Sequence, residues 1–383
     1  MIVSSRHPDV VVVGAGVIGA ACAAALARDG LAVMLVDTEF AGGGTTAVGM
    51  GHIVVLDDSP AQLSLSAYSR SLWAELAPML PPDCEDERRG TLWLAANDAE
   101  MSVASAKAAI YSAAGVEAVL LDSRELAARE PSLRPGLSGA LFIPDDRVLY
   151  PPAVTRYLAQ RAVVDGARLL EGARVDAVAS GEVRLHDRSG NVSVISTGAV
   201  INAAGIDAPV LTPGLPIVPR KGHLVITDRY PGLCTSQLVE LGYLASAHGT
   251  SGASTAFNVQ PRATGQILIG SSRELVGRDR GINGDLLRAM LRRAIEFLPV
   301  LADCSIVRTW TGFRPATPDN LPLVGPWEAN PGVWIAAGHE GLGITTALGT
   351  AEIITAGILG RESPIPTAPF LPTRAMPASG AVH

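Results

Sequence analysis

Cysteine is scarce. The 383 residues hold four, Cys22, Cys84, Cys234 and Cys304, far apart and with no CxxC pair. That spacing argues against a disulfide framework and against an iron–sulfur or zinc site within the chain; isolated reduced thiols fit the cytoplasm. The seven histidines show no HExxH or other metal-ligand spacing, so no metal is expected. Basic charge is also in deficit. Thirty Lys and Arg against 37 Asp and Glu leave a net charge of -7, with no general pull on nucleic acid or an anionic membrane. Short basic runs such as Arg292-Arg293 read as a solvated helix face, and there is no internal repeat.

Apolar residues are plentiful. They make up 48% of the chain against 17% charged, enough for a large core and unlike a disordered chain. At this length two domains are expected, with segments that can interleave. One run, VVVGAGVIGAACAAALARDG from Val11 to Gly30, has the length and closing alanines of a signal peptide. Arg28-Asp29 cuts it short of the roughly 20 apolar residues a membrane span needs. No other stretch is a better candidate, so the chain reads as soluble, without a membrane span.

Within that run Gly14, Gly16 and Gly19 match G-x-G-x-x-G. Asp9–Val13 reads as a buried parallel strand, Ala20–Arg28 as a helix ended by Gly30, and Ala32–Val36 as a second strand ending in Asp37. That is a complete βαβ dinucleotide fingerprint. Gly14 permits the tight turn, Gly16 lets backbone N–H groups approach a pyrophosphate, and Gly19 allows close helix–strand packing. The helix N-terminus then faces the phosphates, and Asp37 accepts from ribose hydroxyls. Val17 and Ile18 open the helix at the same site.

FAD and NAD share this turn, so the choice rests elsewhere. The far end, GVWIAAGHEGLGITTALGTAEIITAGIL, reads as strand, glycine turn and long helix. A second helix N-terminus near Gly341–Gly343 suits negative charge on a reduced flavin. Taken alone, it suits equally well a closing α/β unit of the core.

Five motifs together carry a resemblance: the fingerprint, GGGTTAVGMGHI at Gly42–Ile53, PRKGH at Pro219–His223, GFRPATPDNLPLVG at Gly312–Gly325 and GHEGLG at Gly338–Gly343. In this order they resemble the FAD-dependent D-amino-acid oxidase and glycine oxidase superfamily over nearly the whole chain. Through GHEGLGITTALGTAEI and the loop ending in His52 the chain looks most like the flavin subunits of D-hydroxyproline dehydrogenase and opine oxidase. The flavin subunit of hydrogen cyanide synthase is also similar. The resemblance implies a mixed α/β (α+β) fold: a Rossmann-like FAD-binding domain and a discontinuous substrate domain built on a mixed β-sheet. Residues 1–80, 140–215 and 305–365 are expected to form the FAD-binding domain. Residues 81–139 and 216–304 would form the substrate domain, and 366–383 a loosely ordered tail.

The residues agree in outline. Ala61–Leu76 has helical spacing, and Pro81–Arg89, dense in proline and charge, reads as an exposed excursion. Gly139–Ile143 reads as a strand and Pro152–Asp165 as a helix. VRLHDRSGNVSVIST reads as a hairpin, and Gly284–Phe297 as a helix stopped by Pro299.

The resemblance further implies non-covalent FAD. Beyond the fingerprint it would touch Thr45, Thr46, Gly49, Met50 and Gly51 in the loop, and Arg174, Val175, Ala204 and Gly205. Later in the chain Gly312, Arg314, Gly338, Gly341, Leu342, Gly343 and Ile344 would complete the site. A covalent histidine tether falls nearer Val48 than His52. Arg314 would clamp a substrate carboxylate as a bidentate fork, though locally it suits equally a pair with Asp319. Asp319 and Asn320 read as turn caps or braces. Glu340, with His339 beside it, reads as a helix-capping carboxylate or as a group holding a substrate ammonium or hydroxyl. His52 belongs at the substrate face or to the structure. Tyr243 and His248 are candidates to line the pocket, and Lys221 reads as structural.

The implied reaction is hydride transfer from the Cα of a small amino or imino acid to flavin N5, with cis-4-hydroxy-D-proline or a related D-proline-type acid first. Dehydrogenase work with partner subunits carrying iron–sulfur or a second flavin makes the protein one part of a hetero-oligomer. The alternatives are an opine-oxidase-like or hydrogen-cyanide-synthase-like flavin subunit and an autonomous oxidase.

Overall fold

The computed structural model describes residues 7–56, 58–242 and 253–376, and most of its strands sort into two large sheets. The first runs Leu323–Pro326, Val333–Ala337, Ala199–Asn202, Val10–Val13, Val33–Asp37 and Arg168–Glu171. Its pairings are parallel except at the edge, where Leu323–Pro326 is antiparallel. A parallel sheet is covered on both faces, which is why Val10–Val13 is apolar and buried at every position. Val10 and Val12 pack among the helices Val17–Arg28, Pro60–Leu76, Pro151–Val164 and Gly343–Ile358. Val11 and Val13 meet Val175, Val183 and Leu185 of a small antiparallel sheet, Arg174–Ala179, Glu182–His186 and Val192–Ser196. Its last two strands are the hairpin read from the sequence, closed where Asp187 accepts from Ser189 and Asn191 N–H.

The second sheet has eight strands: Ile306–Ala316, Val218–Arg229, Gln266–Arg273, Ser254–Pro261, Gln237–Glu240, Thr91–Ala95, Gly139–Ile143 and Val119–Asp122. It is mixed, with Gln237–Glu240 and Thr91–Ala95 parallel and the other pairings antiparallel. The helix Gly284–Phe297, capped by Asn283, covers one face with Leu286, Met290, Ala294 and Phe297. These meet Leu92, Leu94, Leu238, Phe257 and Val259, and the Phe257 and Phe297 rings stack at 4.7 Å. The two-residue period of a strand then turns Trp93, Val239 and Asn258 to the opposite face. That face looks onto the first sheet.

The fold has the expected mixed class, and its limits differ in three places. Gly139–Ile143 and Ile306–Ala316, placed with the FAD-binding segments from sequence, are strands of the eight-stranded sheet. A short apolar strand carries no local mark of the sheet it will join. Pro81–Arg89 is not a free excursion: Cys84 is buried, Arg147 grips Asp86 and Arg262 grips Glu85. Pro364 onward is held down over its described part, for Phe370 is buried and the Arg374 guanidinium forks onto Asp319 at 2.7 and 2.8 Å. Among the described residues no helix is long and apolar enough to cross a membrane.

Candidate active site

Two helices of the first layer, Val17–Arg28 and Gly343–Ile358, begin without a side-chain acceptor from their N-cap residues, Gly16 and Leu342. Both N-termini border a cavity of about 880 Å³ between the two sheets, a size that suits a cofactor with its substrate. Each helix end brings partial positive charge, and the first turn of a helix has N–H groups that no carbonyl of its own helix takes.

The glycine turn leaves this opening clear. Gly14 has φ +101°, and a Cβ there would stand 2.6 Å from the Ala203 carbonyl oxygen. A Cβ on Gly19 would stand 1.8 Å from the Gly14 carbonyl oxygen, so helix and strand touch only because both are glycine. Asp37 is fixed at the next strand end, accepting from Ala15 N–H at 2.6 Å and Glu39 N–H at 2.8 Å. The loop after it is tied to the second sheet: Thr45 Oγ1 donates to the Phe313 carbonyl at 2.9 Å, and Trp310 Nε1 to that of Val48 at 3.1 Å. Thr46 Oγ1 accepts from Val17 N–H.

The cavity gathers nearly all of the residues singled out in the sequence. Gly14, Gly16, Val17, Ile18, Asp37, Thr45, Thr46, Gly49, Met50 and His52 line it, as do Arg174, Val175, Ala204 and Gly205. So do Gly312, Arg314, Gly338, Glu340, Gly341, Leu342, Gly343 and Ile344. Gly19 lies beneath the turn in its packing position. Gly51 is a correction: its N–H is taken by Gln260 Oε1 at 3.0 Å, and a Cβ there would strike the Leu149 carbonyl at 1.6 Å. Tyr243 and His248 lie outside the described residues.

On the facing wall Arg314 pairs across strands with Arg220. Arg314 Nη1 donates to the Ser272 carbonyl at 3.0 Å, and a Cβ on Gly222 would come within 2.6 Å of that nitrogen. The guanidinium therefore lies close along the strand at a fixed position. Asp319 does not brace it. Burial alone would raise the Asp319 pKa, but the Arg374 fork outweighs burial and holds the carboxyl below its ordinary range.

Glu340 is not a helix cap either. Its Oε1 accepts from Arg220 Nη1 at 3.1 Å, and Oε2 is buried with no hydrogen-bond partner among the described residues. Its backbone is left-handed, φ +36°, and its N–H bonds the Pro315 carbonyl at 3.1 Å, which anchors the turn to the arginine strand. Burial pushes the imidazoles of His52 and His339 down to about 3, so both are neutral at physiological pH. His339 Nε2 lies 3.0 Å from Thr350 Oγ1, whereas His52 Nε2 has no partner among the described residues. Lys221 is structural: it is buried on the other face of its strand, against Glu274 at 2.8 Å and Asp279 at 3.1 Å.

Sequence reasoning missed several lining residues on the sheet: Trp93, Arg220, Gln237, Asn258, Ser271 and Arg273. A signal existed for some of them. Asn258 stands between Phe257 and Val259, whose side chains go to the opposite face, and Arg220 precedes Lys221 on a strand whose alternation puts the two on opposite faces.

Comparison with known proteins gives one consistent result. The family described as FAD dependent oxidoreductase (DAO) matches residues 9–356. The chain is 29% identical to the hydrogen cyanide synthase subunit HcnC of Pseudomonas aeruginosa, over 99% of each chain. Its fold matches the crystal structure of glycine oxidase from Geobacillus kaustophilus with a TM-score of 0.85 and 26% identity, covering 97% of this chain and 100% of that one. It also matches L-proline dehydrogenase from P. horikoshii, with a TM-score of 0.84, 25% identity and coverage of 96% and 97%.

Proposed function

Because the chain belongs to the FAD-dependent oxidoreductase family, we propose that it oxidises the Cα–N bond of a D-proline-type imino acid, cis-4-hydroxy-D-proline first, and passes the electrons on as a dehydrogenase. It is an FAD enzyme acting on amino or imino acids. The observation that supports the reading is the meeting, in one cavity, of two helix N-termini and a fixed arginine, Arg314.

The residues present fit FAD. No side chain stands between the Gly14–Gly16 turn and the cavity, and Asp37 is held in place to accept from ribose hydroxyls. Thr46, Gly49 and Met50 and the turn at Gly341–Ile344, all lining the cavity, would help to hold FAD. The flavin is held without a covalent tether, and acid precipitation is expected to leave the protein colourless. When bound, it would supply the two-electron acceptor for oxidation of the substrate Cα–N bond.

The protein's own share is placement. Arg314 would fork onto the substrate carboxylate and fix the direction of the Cα–H bond. Glu340, tied to Arg220 by one oxygen, would offer the other to the substrate nitrogen. The amine must lose its proton to solvent before the step, so no side chain is required as a base. His52 and His339, neutral by burial, add no charge beside the reacting carbon. The product is an imino acid, cyclic where the substrate is a proline.

A second reading has its own support. The similarity to a hydrogen cyanide synthase subunit spans 99% of both chains, which favours work inside a hetero-oligomer, with electrons leaving through a partner that carries iron–sulfur or a second flavin. We place the enzyme in the cytoplasm, where its four free cysteines would stay reduced.

The test is anaerobic. Purified chain with bound flavin is mixed with cis-4-hydroxy-D-proline, and absorbance is followed at the flavin maximum. Rapid bleaching is expected. A flavin-loaded protein that other amino acids bleach and this one does not would overturn the substrate. Fast reoxidation by oxygen alone would overturn the dehydrogenase reading.

A further inference from the structure

The inner face of the eight-stranded sheet carries buried polar atoms that have no hydrogen-bond partner among the described residues. Trp93, Val239 and Asn258 stand side by side on adjacent strands, with Val239 in register with both of the others. Gln237, two residues before Val239, faces the same way, and Ser271, on the strand next to that of Asn258, also borders the cavity. Trp93, Gln237, Asn258 and Ser271 all line the cavity, and none is more than 7% exposed. Yet Trp93 Nε1, Gln237 Oε1, Asn258 Oδ1 and Ser271 Oγ have no hydrogen-bond partner among the described residues. On the flank, His52 Nε2 is in the same state.

Buried polar atoms are nearly always paired, and one such orphan is an ordinary exception. A row of them on one wall of one cavity implies a ligand that completes the set. Resting on the amino- or imino-acid reading above, we propose that this row recognises a hydroxyl group on the substrate and that Trp93 and Asn258 set the preference for it.

The chemistry selects the group. An indole N–H only donates, so whatever meets Trp93 must accept, which rules out an ammonium. The Asn258 and Gln237 carbonyls accept, so the same group must also donate. A hydroxyl does both through one atom. A carboxylate only accepts and needs a cation to offset its desolvation; Trp93, Gln237, Asn258 and Ser271 are uncharged, and the nearest cation on their strands, Arg273, stands at the end of the row, two residues beyond Ser271. An alkyl substituent would leave the whole row unpaired, the situation in which polar pockets discriminate most strongly.

The experiment uses flavin-loaded enzyme and substrates in pairs differing by one hydroxyl: cis-4-hydroxy-D-proline against D-proline, and D-serine against D-alanine. Flavin reduction is followed under anaerobic conditions. The hydroxylated member of the pair that the cavity admits is expected to win by about 10²-fold or more in kcat/KM. Trp93→Phe keeps an aromatic ring and deletes the donor; Asn258→Leu keeps bulk and deletes the acceptor. Each should cut the ratio at least tenfold through loss on the hydroxylated member, with flavin content and melting temperature recorded for both variants. Equal kcat/KM within both pairs, a ratio unmoved in both folded variants, or preference for a dicarboxylic amino acid would overturn this inference alone. Failure of every amino and imino acid to reduce the flavin would overturn the parent reading, and this one with it.

Discussion

The wall of the cavity beneath the glycine turns presents backbone, and the wall formed by the eight-stranded sheet presents side chains. On the first, two helix ends and the glycine turn at Gly14–Gly16 border the cavity with backbone. On the second, Trp93, Arg220, Gln237, Asn258, Ser271 and Arg314 reach in from six different strands. The first wall is specified by what is missing, the Cβ atoms that would fill it, and the second by atoms that are present. Added atoms should therefore damage the first, while removed atoms damage the second.

The largest effect belongs to the backbone wall. Gly19→Ala puts a carbon 1.8 Å from the Gly14 carbonyl oxygen, and backbone cannot yield as a flexible side chain can. Expression with little or no bound flavin is expected, read from the flavin-to-protein absorbance ratio. Stoichiometric flavin in this variant would break the comparison, since the helix would then have room to move.

The sheet wall should fail differently. Arg314→Leu deletes a fork but leaves the glycine turns untouched, so flavin content should hold while KM for the carboxylate substrate rises on the order of 10²-fold. An unchanged KM would remove Arg314 from substrate binding. Loss of flavin in parallel would mean that the two walls do not divide the work as described.

The same division explains which parts could be read from the chain. The backbone wall lies largely within Val10–Asp37, contiguous residues whose glycine spacing is itself the geometry. The hairpin and the helix Gly284–Phe297 were equally legible, because turn chemistry and a 3.6-residue period are local. The sheet wall depends on register between strands far apart in the chain, as where Gln237 pairs with Thr91, and a shift of one residue would turn every side chain to the other face. That is why Trp93, Gln237, Asn258 and Ser271 were not named and residues 140–143 were grouped apart from the strands they pair with. It is also why Asp319, read as a turn cap or a brace for Arg314, caps its turn at Leu321 N–H but has its charged partner in Arg374, 55 residues away. Arg314 and Glu340 were found through motif, and what each one touches came from the structure.

Buried charge sharpens the contrast further. Asp146, in the turn after Gly139–Ile143, is fully buried, and desolvation raises its carboxyl to about 7 against help from Thr91, Arg70 and the Val55 backbone. Unfolded, it would titrate near 3.8. Between those values the folded protein holds a proton that the unfolded chain has lost, so this residue's contribution to stability falls as pH rises from about 4 to about 7 and stays low above. The shift corresponds to roughly 4 kcal/mol. Asp146→Asn carries no such proton, so its melting temperature should fall less than the parent's between pH 5 and pH 8. Parallel melting curves across that range would show that Asp146 is ionised in the fold.

The smallest effect is expected where the two walls meet. Glu340 sits in the turn before the helix Gly343–Ile358, yet its carboxylate reaches Arg220 on the sheet wall. Glu340→Gln keeps an oxygen for Arg220 and removes the charge, so Arg220 becomes a guanidinium without a counter-ion at the substrate's side of the cavity. Flavin content should not change, because the turn is held by backbone, the Glu340 N–H on the Pro315 carbonyl and the Leu342 N–H on that of His339. Preference among substrates should shift by several-fold, away from those whose nitrogen Glu340 holds and toward those bearing a second carboxylate for Arg220 to meet. Kinetics on a proline-type acid and on D-glutamate in the two proteins would measure it. A uniform loss on both substrates would place Glu340 with the backbone wall, as a residue that shapes the turn and reads nothing.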